Sequence, residues 1–302
     1  MQISDNLRGS IYMTLAMAAF TVNDTCMKSV TVEMPLYQAL VLRGTLTMIA
    51  LVLIAQRMGG LQLRMSRPDM RRIGYRSIGE VGGTAAFLTA LKHMPLANLS
   101  AIMQVLPLAV TLVAAVFLRE KVGWRRLSAI LIGFLGVLLI VRPGSVGFDI
   151  WSLVGLAAVA FVVLRDLITR QLSPSVPSVT VAFYAAVSVT ILGLVGVPVT
   201  GWVPITFNIA MLIAGASAFL IVGYLAVVMA MRVGEVSTVA PFRYTALIFA
   251  ILLGWLAFRQ LPDVWTLSGA AIVIVTGVYT FYRERQLGQR LATPETAPLR
   301  VR

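Results

Sequence analysis

Apolar residues run in long blocks along this chain, and charged residues, prolines and glycines fall between the blocks. Blocks near 9–30, 36–56, 72–91, 96–118, 124–141, 150–170, 179–199, 208–231, 236–258 and 264–282 recur through the sequence. Each is close to the ~20 residues a helix needs to cross a hydrocarbon core about 30 Å thick. The pattern predicts an all-α integral membrane protein of ten transmembrane helices. Arg76 and Glu80 interrupt the third block, and Arg165 and Asp166 the sixth.

Composition agrees with a bilayer as solvent. Of 302 residues 59% are hydrophobic and 12% charged, where soluble domains carry roughly a quarter charged residues; the mean hydropathy is +0.89. A formal net charge of +13 would suggest nucleic acid on an exposed basic face. Here the cations sit between apolar blocks, where they read as topology signals and contacts to anionic lipid heads, so nucleic acid is excluded as a partner. Threading the chain with both termini on one side puts seventeen lysines and arginines there, Arg8, Arg57, Arg119, Lys121 and the tail arginines among them. The other side holds only Lys28, Lys92, Arg142 and Arg259. Cations favour the cytoplasmic side, so both termini are expected in the cytoplasm. The first block follows Arg8 and contains Asn23 and Asp24, which predicts a retained helix, not a cleaved signal.

The two halves echo each other. Asp24-x-x-x-Lys28 is matched by Asp166-x-x-x-Arg170, and Phe117-x-Arg119 with Trp124 and Leu127-Ser128-Ala129 by Phe258-Arg259 with Trp265 and Leu267-Ser268-Gly269. Gly136-Val137 recurs as Gly277-Val278. Five spans per copy is odd, so the second copy enters the membrane from the opposite face. The expected division is a first five-helix repeat over 1–146, a second, inverted one over 147–290, and a short basic tail over 291–302. Inverted repeats are common among secondary transporters, whose site lies between them near the midplane.

Ionisable residues inside spans are costly and face a partner or a wet cavity. Counting at about 1.5 Å per residue, Asp24 and Arg43 lie at matching depth below the outer boundary, and Asp166 and Arg243 lie toward the inner one. Each couple is either a structural ion pair or a gate whose pairing changes with the transport state. Arg76, Glu80, Thr84 and Phe87 share one face of the third helix, with Gly79-x-x-x-Gly83 beside it to admit a neighbour closely. Glu80 there is either a carrier of a coupling proton or half of an intrahelical pair with Arg76. Gln104 with Pro107, and Pro241 with Phe242, Arg243 and Tyr244, set polar groups beside expected helix irregularities. Phe20, Phe87, Phe161, Tyr184, Tyr224 and Tyr244 are candidates to stack on a planar ligand, or are packing residues. Trp151, Trp202 and Trp265 read as interfacial anchors.

Other chemistries find little support. One cysteine, Cys26, forbids an intramolecular disulfide, and the single histidine, His93, is expected solvated in a short loop. There is no His-Glu-x-x-His, Gly-x-Ser-x-Gly, metal-ligand cluster or phosphate-binding loop, so neither an enzyme nor a resident cofactor or metal is expected. The longest interspan segment, near 57–71, offers no soluble domain for a receptor or scaffold.

The run from Ala97 to Arg142, ANLSAIMQVLPLAVTLVAAVFLREKVGWRRLSAILIGFLGVLLIVR, and its echo from Gly234 to Tyr279 resemble the EamA-type members of the drug/metabolite transporter superfamily over essentially the full chain. Asn23-Asp24 with Met27-Lys28, and Ala240 to Tyr244, look like the branch of bacterial riboflavin importers and S-adenosylmethionine uptake transporters. The resemblance implies alternating access in a bacterial inner membrane, as a monomer or homodimer. It also implies a cavity lined by the first, third, fourth, sixth, eighth and ninth helices, which carry Asp24, Glu80, Gln104, Asp166, Tyr224 and Arg243. A flavin suits aromatic walls with Arg, Gln and Tyr; a sulfonium asks for carboxylate or aromatic faces. Riboflavin is favoured narrowly, with S-adenosylmethionine uptake or amino-acid or metabolite export as alternatives.

Overall fold

The computed structural model describes residues 4–57, 60–117, 123–144, 148–173 and 175–292. Its elements are α1 (Asp5–Glu33), α2 (Leu36–Arg57), α3 (Arg67–His93), α4 (Leu96–Met103), α5 (Leu106–Phe117), α6 (Trp124–Val141) and α7 (Trp151–Thr169). They continue as α8 (Ser178–Thr200), α9 (Phe207–Val233), α10 (Val236–Val239), a 3-10 turn Ala240–Tyr244, α11 (Thr245–Phe258) and α12 (Val264–Ala292). Arg119, Lys121 and the tail arginines Arg300 and Arg302 lie outside the described residues.

Eight crossings are apolar enough to span by length and composition alone, with α4 and α5 counting as one, Leu96–Phe117, and the 3-10 turn with α11 as another, Ala240–Phe258. Helices α1 and α3, at 29 and 27 residues, are longer than a crossing requires, and their in-span charges keep them below that apolarity. Together they make ten. The helix starts follow local chemistry: Ser4, Ser66 and Thr206 each accept a hydrogen bond from a first-turn N–H, the usual N-cap device. The fourth and ninth crossings are both broken, at Gln104–Val105 and at the 3-10 turn. Pro107 and Pro241 lie at these breaks, where each removes a backbone donor.

Packing shows how the halves relate. Helix α1 runs along α9, α3 along α7, α2 along α8 and α6 along α12, while α4 meets α11. Exchanging the first five crossings for the second five maps α1·α9 onto α7·α3 and returns every other pair to itself. That invariance is the signature of two inverted five-helix repeats. Helices come close where side chains vanish: a Cβ on Gly79 would lie 2.8 Å from the Phe161 carbonyl oxygen and 2.9 Å from the Arg165 nitrogen. The Gly79-x-x-x-Gly83 face thus seats α7 directly, as small-residue motifs do in membranes.

At the terminus-bearing end, α3 is pinned to the end of α7 by Asp69, which precedes the crossing segment. Its carboxylate accepts from the Ser66 hydroxyl at 2.7 Å, from the N–H and hydroxyl of Ser173 at 3.2 and 3.0 Å, and from Arg72 at 3.2 Å. The Ser66 and Ser173 bonds hold its pKa down to about 2, against 3.8 for a free aspartate. A depressed carboxylate stabilises the fold above its unfolded pKa and loses that contribution as pH falls toward the folded value. Asp69→Asn is therefore expected to lower the thermal midpoint at neutral pH, with the gap to wild type constant above about pH 4 and closing toward pH 2; melting curves across that range check it.

Candidate functional site

The polar residues of the first crossing sit among small and apolar neighbours, and their side chains turn toward the centre of the bundle. There α1, α2, α3, α4, α5, α7, α8, α9 and the 3-10 turn enclose a cavity of about 430 Å3. Its wall includes Phe20, Asn23, Asp24, Arg43, Glu80, Phe87, Gln104, Arg165, Tyr224 and Arg243. Seven of the nine residues singled out by sequence as substrate or gate residues face it: Asp24, Arg43, Glu80, Phe87, Gln104, Tyr224 and Arg243.

The other two do not line it. Asp166 turns to its neighbour Arg165, with Nη2 to Oδ1 at 2.9 Å. Tyr244 is buried on the opposite side of its turn, against Gly277, and its hydroxyl meets no partner. Among the other aromatic candidates, Phe161 covers Gly82, and Tyr184 donates to the Leu63 carbonyl at 3.1 Å. Phe20, Phe87 and Tyr224 remain as wall rings, Phe20 and Tyr224 edge to face with centroids 5.7 Å apart.

Two expected ion pairs take different forms. Arg43 reaches Asp24 through Asn23: its Nη1 donates to Asn23 Oδ1 at 3.4 Å, and Asn23 Nδ2 donates to Asp24 Oδ1 at 2.9 Å. Asn23 is only 4% exposed, so the middle of this relay is buried at the cavity wall. Asp166 pairs with Arg165, which leaves Arg243 without a hydrogen bond or ion pair among the described residues. Depth counting could match acids to bases at one level but could not see which adjacent residue would intervene.

Glu80 is the hub of a third group. Arg76 lies 3.0 Å away on the same helix and Arg165 3.6 Å away on α7, while Arg76 Nε donates to Thr169 at 3.0 Å. The Arg76–Glu80 pair is thus formed, and it serves the α3–α7 seam. Arg165 was legible only as an interruption of its span, yet it is the link between this seam and the cavity.

Toward the end opposite the termini the cavity is shut. Lys28 Nζ donates to the carbonyls of Leu91 and Met94, both at 2.6 Å, and lies 5.4 Å over the Phe258 ring. Met27, Val30, Met34, Leu91 and Met94 pack around it at 2% exposure or less. Sequence had counted Lys28 as a loop cation; it is a buried helix-end cap, where the carbonyl dipoles favour a positive charge. His93 is exposed, as expected of a solvated side chain, but it is the last residue of α3 and not part of a loop, and its ring stacks on that of Trp151 at 3.8 Å. Toward the terminus-bearing end the lining reaches Ala182 and Arg165, and the Arg165 side chain is 25% exposed.

What the wall can do follows from what it leaves open. Gln104 makes no side-chain hydrogen bond within the described residues, nor does the Tyr224 hydroxyl; Asp24 has one donor, Asn23, and the Arg243 guanidinium has no acceptor among them. Buried polar groups are normally satisfied, by protein or by what enters the site. Charged wall residues comprise Arg43, Arg165 and Arg243 against Asp24 and Glu80, three cations to two carboxylates. Such a wall offers cations, carboxylates and open hydrogen-bonding groups beside flat apolar surface.

Known proteins bear on the class of this site. A bacterial protein named S-adenosylmethionine uptake transporter, from Rickettsia conorii, is 26% identical over 290 residues, covering 94% of this chain and 96% of its own. The pseudopaline exporter of Pseudomonas aeruginosa is 25% identical over 272 residues, 88% of this chain and 93% of its own. The riboflavin transporter of Vibrio cholerae is 27% identical over 289 residues, 94% and 96% of the two chains. One solved crystal structure shares the fold at a TM-score of 0.64 and 20% identity, covering 94% of this chain and 99% of that one. The EamA-like transporter family model matches twice, at residues 7–142 and 149–283, and the chain belongs to that family of multi-pass membrane transporters.

Proposed function

We propose that this protein is an inner-membrane secondary transporter, termini in the cytoplasm, whose passenger is a small metabolite bearing an amino-acid head on a flat body. Its carboxylate meets Arg243, its ammonium meets Asp24, and Phe20, Phe87 and Tyr224 flank the remainder. The observation that carries this reading is Arg243, a guanidinium that makes no hydrogen bond or ion pair among the described residues, on the wall of a cavity with one cation in excess. A passenger's carboxylate would pair with Arg243 and make the bidentate contact for which arginine is suited. The charged groups thus move the preference from riboflavin to an amino-acid-like zwitterion; S-adenosylmethionine, whose sulfonium adds a second positive charge, would also need the faces of Phe20, Phe87 and Tyr224 against that cation. Riboflavin stays as a second reading, favoured by the three wall rings and the open amide of Gln104.

Proteoliposome uptake of labelled S-adenosylmethionine, riboflavin and a panel of amino acids, with and without a proton gradient, tests both. Saturable counterflow of a zwitterion is expected; saturable riboflavin flux alone would select the second reading, and no flux of any compound would remove both. The gradient arm reads coupling directly.

A site group and a scaffold group separate in a second experiment. Arg243→Gln is expected to cut uptake at least about tenfold, the loss of roughly 1.4 kcal/mol of binding, while raising the thermal midpoint of the substrate-free protein slightly, because it removes a partly desolvated charge that no described residue pairs directly. Arg76→Gln leaves Glu80 short of a partner and is expected to lower the midpoint, at a cost of up to about 3–5 kcal/mol. Melting curves beside uptake rates distinguish the two directions.

A further inference from the structure

Two rigid pairs can be traced in the bundle: α1 with α9, and α3 with α7. Lys28, on α1 of the first pair, holds the end of α3 in the second pair through two carbonyls, Leu91 and Met94, and stands over Phe258. This fastening lies at the end opposite the termini. Inverted symmetry assigns each of its parts an image at the terminus-bearing end.

The image of Lys28 is Arg170, since Asp24-x-x-x-Lys28 matches Asp166-x-x-x-Arg170. Helices α3 and α9 are both 27 residues long and end alike, with the Met94 N–H bonded to the Ala90 carbonyl and the Gly234 N–H to the Ala230 carbonyl. Leu91 and Met94 therefore map onto Met231 and Gly234. Phe258 maps onto Phe117, the last described residue of the fourth crossing. In this conformation none of the image contacts is made: Arg170 is exposed and has no side-chain partner among the described residues, and Phe117 is 77% exposed. The end of α7 is instead tied to α3, through Asp69 to Ser173 and Arg76 to Thr169.

We infer that Lys28 and Arg170 are alternate latches of a see-saw, so that when Lys28 releases α3 at one end, Arg170 caps the final carbonyls of α9, beneath Phe117, at the other. The inference rests on the transporter reading but not on the identity of the passenger. Both latches join the same two helix pairs at opposite ends, so closure of one requires opening of the other if the pairs move as bodies. Arginine serves where the cap must form from an exposed state, since its fork can span two carbonyls and lie on a ring.

The test uses the full-length protein in a Cys26→Ser background with single reporters on the cavity wall, Ser100→Cys toward the far end or Ala182→Cys toward the terminus-bearing end. Membrane-impermeant maleimide is applied to right-side-out and inside-out vesicles. Lys28→Met is expected to raise labelling at position 100 from the far side several-fold and lower it at position 182 from the other side. Lys28→Arg should restore the wild-type pattern, which a folding defect would not allow. Arg170→Met is the sharper arm: because Arg170 is free in this conformation, the thermal midpoint should stay at the wild-type value while transport falls at least about tenfold and position 182 stays labelled. Wild-type transport and labelling in Arg170→Met would overturn the latch pair, and so would a Lys28→Met protein that melts normally with unchanged labelling. Loss of flux in the parent protein for every compound tested would instead strike the transporter reading, leaving the labelling arms to judge the see-saw by themselves.

Discussion

A hydrocarbon bilayer gives an ion no solvation, so every charged side chain in a span must find its partner within the protein or in whatever the protein encloses. That constraint orders the whole interior of this molecule. Lys28 is answered by two carbonyls and a ring, Glu80 by two arginines, Asp166 by its neighbour, and Arg142 at the far end by Asp263 at 2.5 Å. Where the partner lies on another helix, the group fastens the two. Arg243, Asp24 and Gln104 are under-answered and share one cavity, and the contrast between the two sets separates scaffold from site more clearly than residue type does.

The backbone is close to symmetric and the polar contacts are not. Helix pairs map onto one another under exchange of the repeats, and so do the breaks in the fourth and ninth crossings, yet the fastening at one end has no counterpart at the other. A symmetric scaffold with an asymmetric set of contacts describes one of two related states, because the repeats could trade roles. Small residues permit this. Gly79 and Gly83 let α3 and α7 approach to backbone contact, which makes that pair a unit stiff enough to transmit a change at one end to the other.

Much of the fold was legible because the bilayer imposes one length and one polarity on each crossing. The run lengths predict the ten helices, and the odd repeat count predicts inversion. The breaks at Gln104 and Pro241 were legible because proline removes a donor whatever surrounds it. Contacts between residues distant in sequence were less accessible. Depth along a helix places Asp24 level with Arg43, but the angle about the helix axis decides that Asn23 lies between them. The same limit hid Lys28, whose partners are main-chain carbonyls and carry no sequence signal. It also drew Tyr244 toward the site, although its neighbour Arg243 faces the cavity and Tyr244 faces Gly277. Residues one apart on a 3-10 turn point about 120° from each other, and composition does not report which of them looks inward.

Site and latch meet in the same physics. On the proposed reading, a cavity with an excess cation is open toward the terminus-bearing end, where water reaches Arg165 and partly solvates the group. Closing that end over an empty cavity would strip water from Arg243 with nothing in its place, and the cost of an unmatched buried charge stands against closure. A bound carboxylate removes that cost, and closure then gains the contacts of Arg170 with the end of α9. Loading and closing are thus linked through one charge, without any signal passing along a chain of residues. The linkage also runs backward: a passenger that leaves Arg243 unmatched would bind at the wall yet fail to close the bundle, which makes the cavity a filter for what is carried as well as for what is bound.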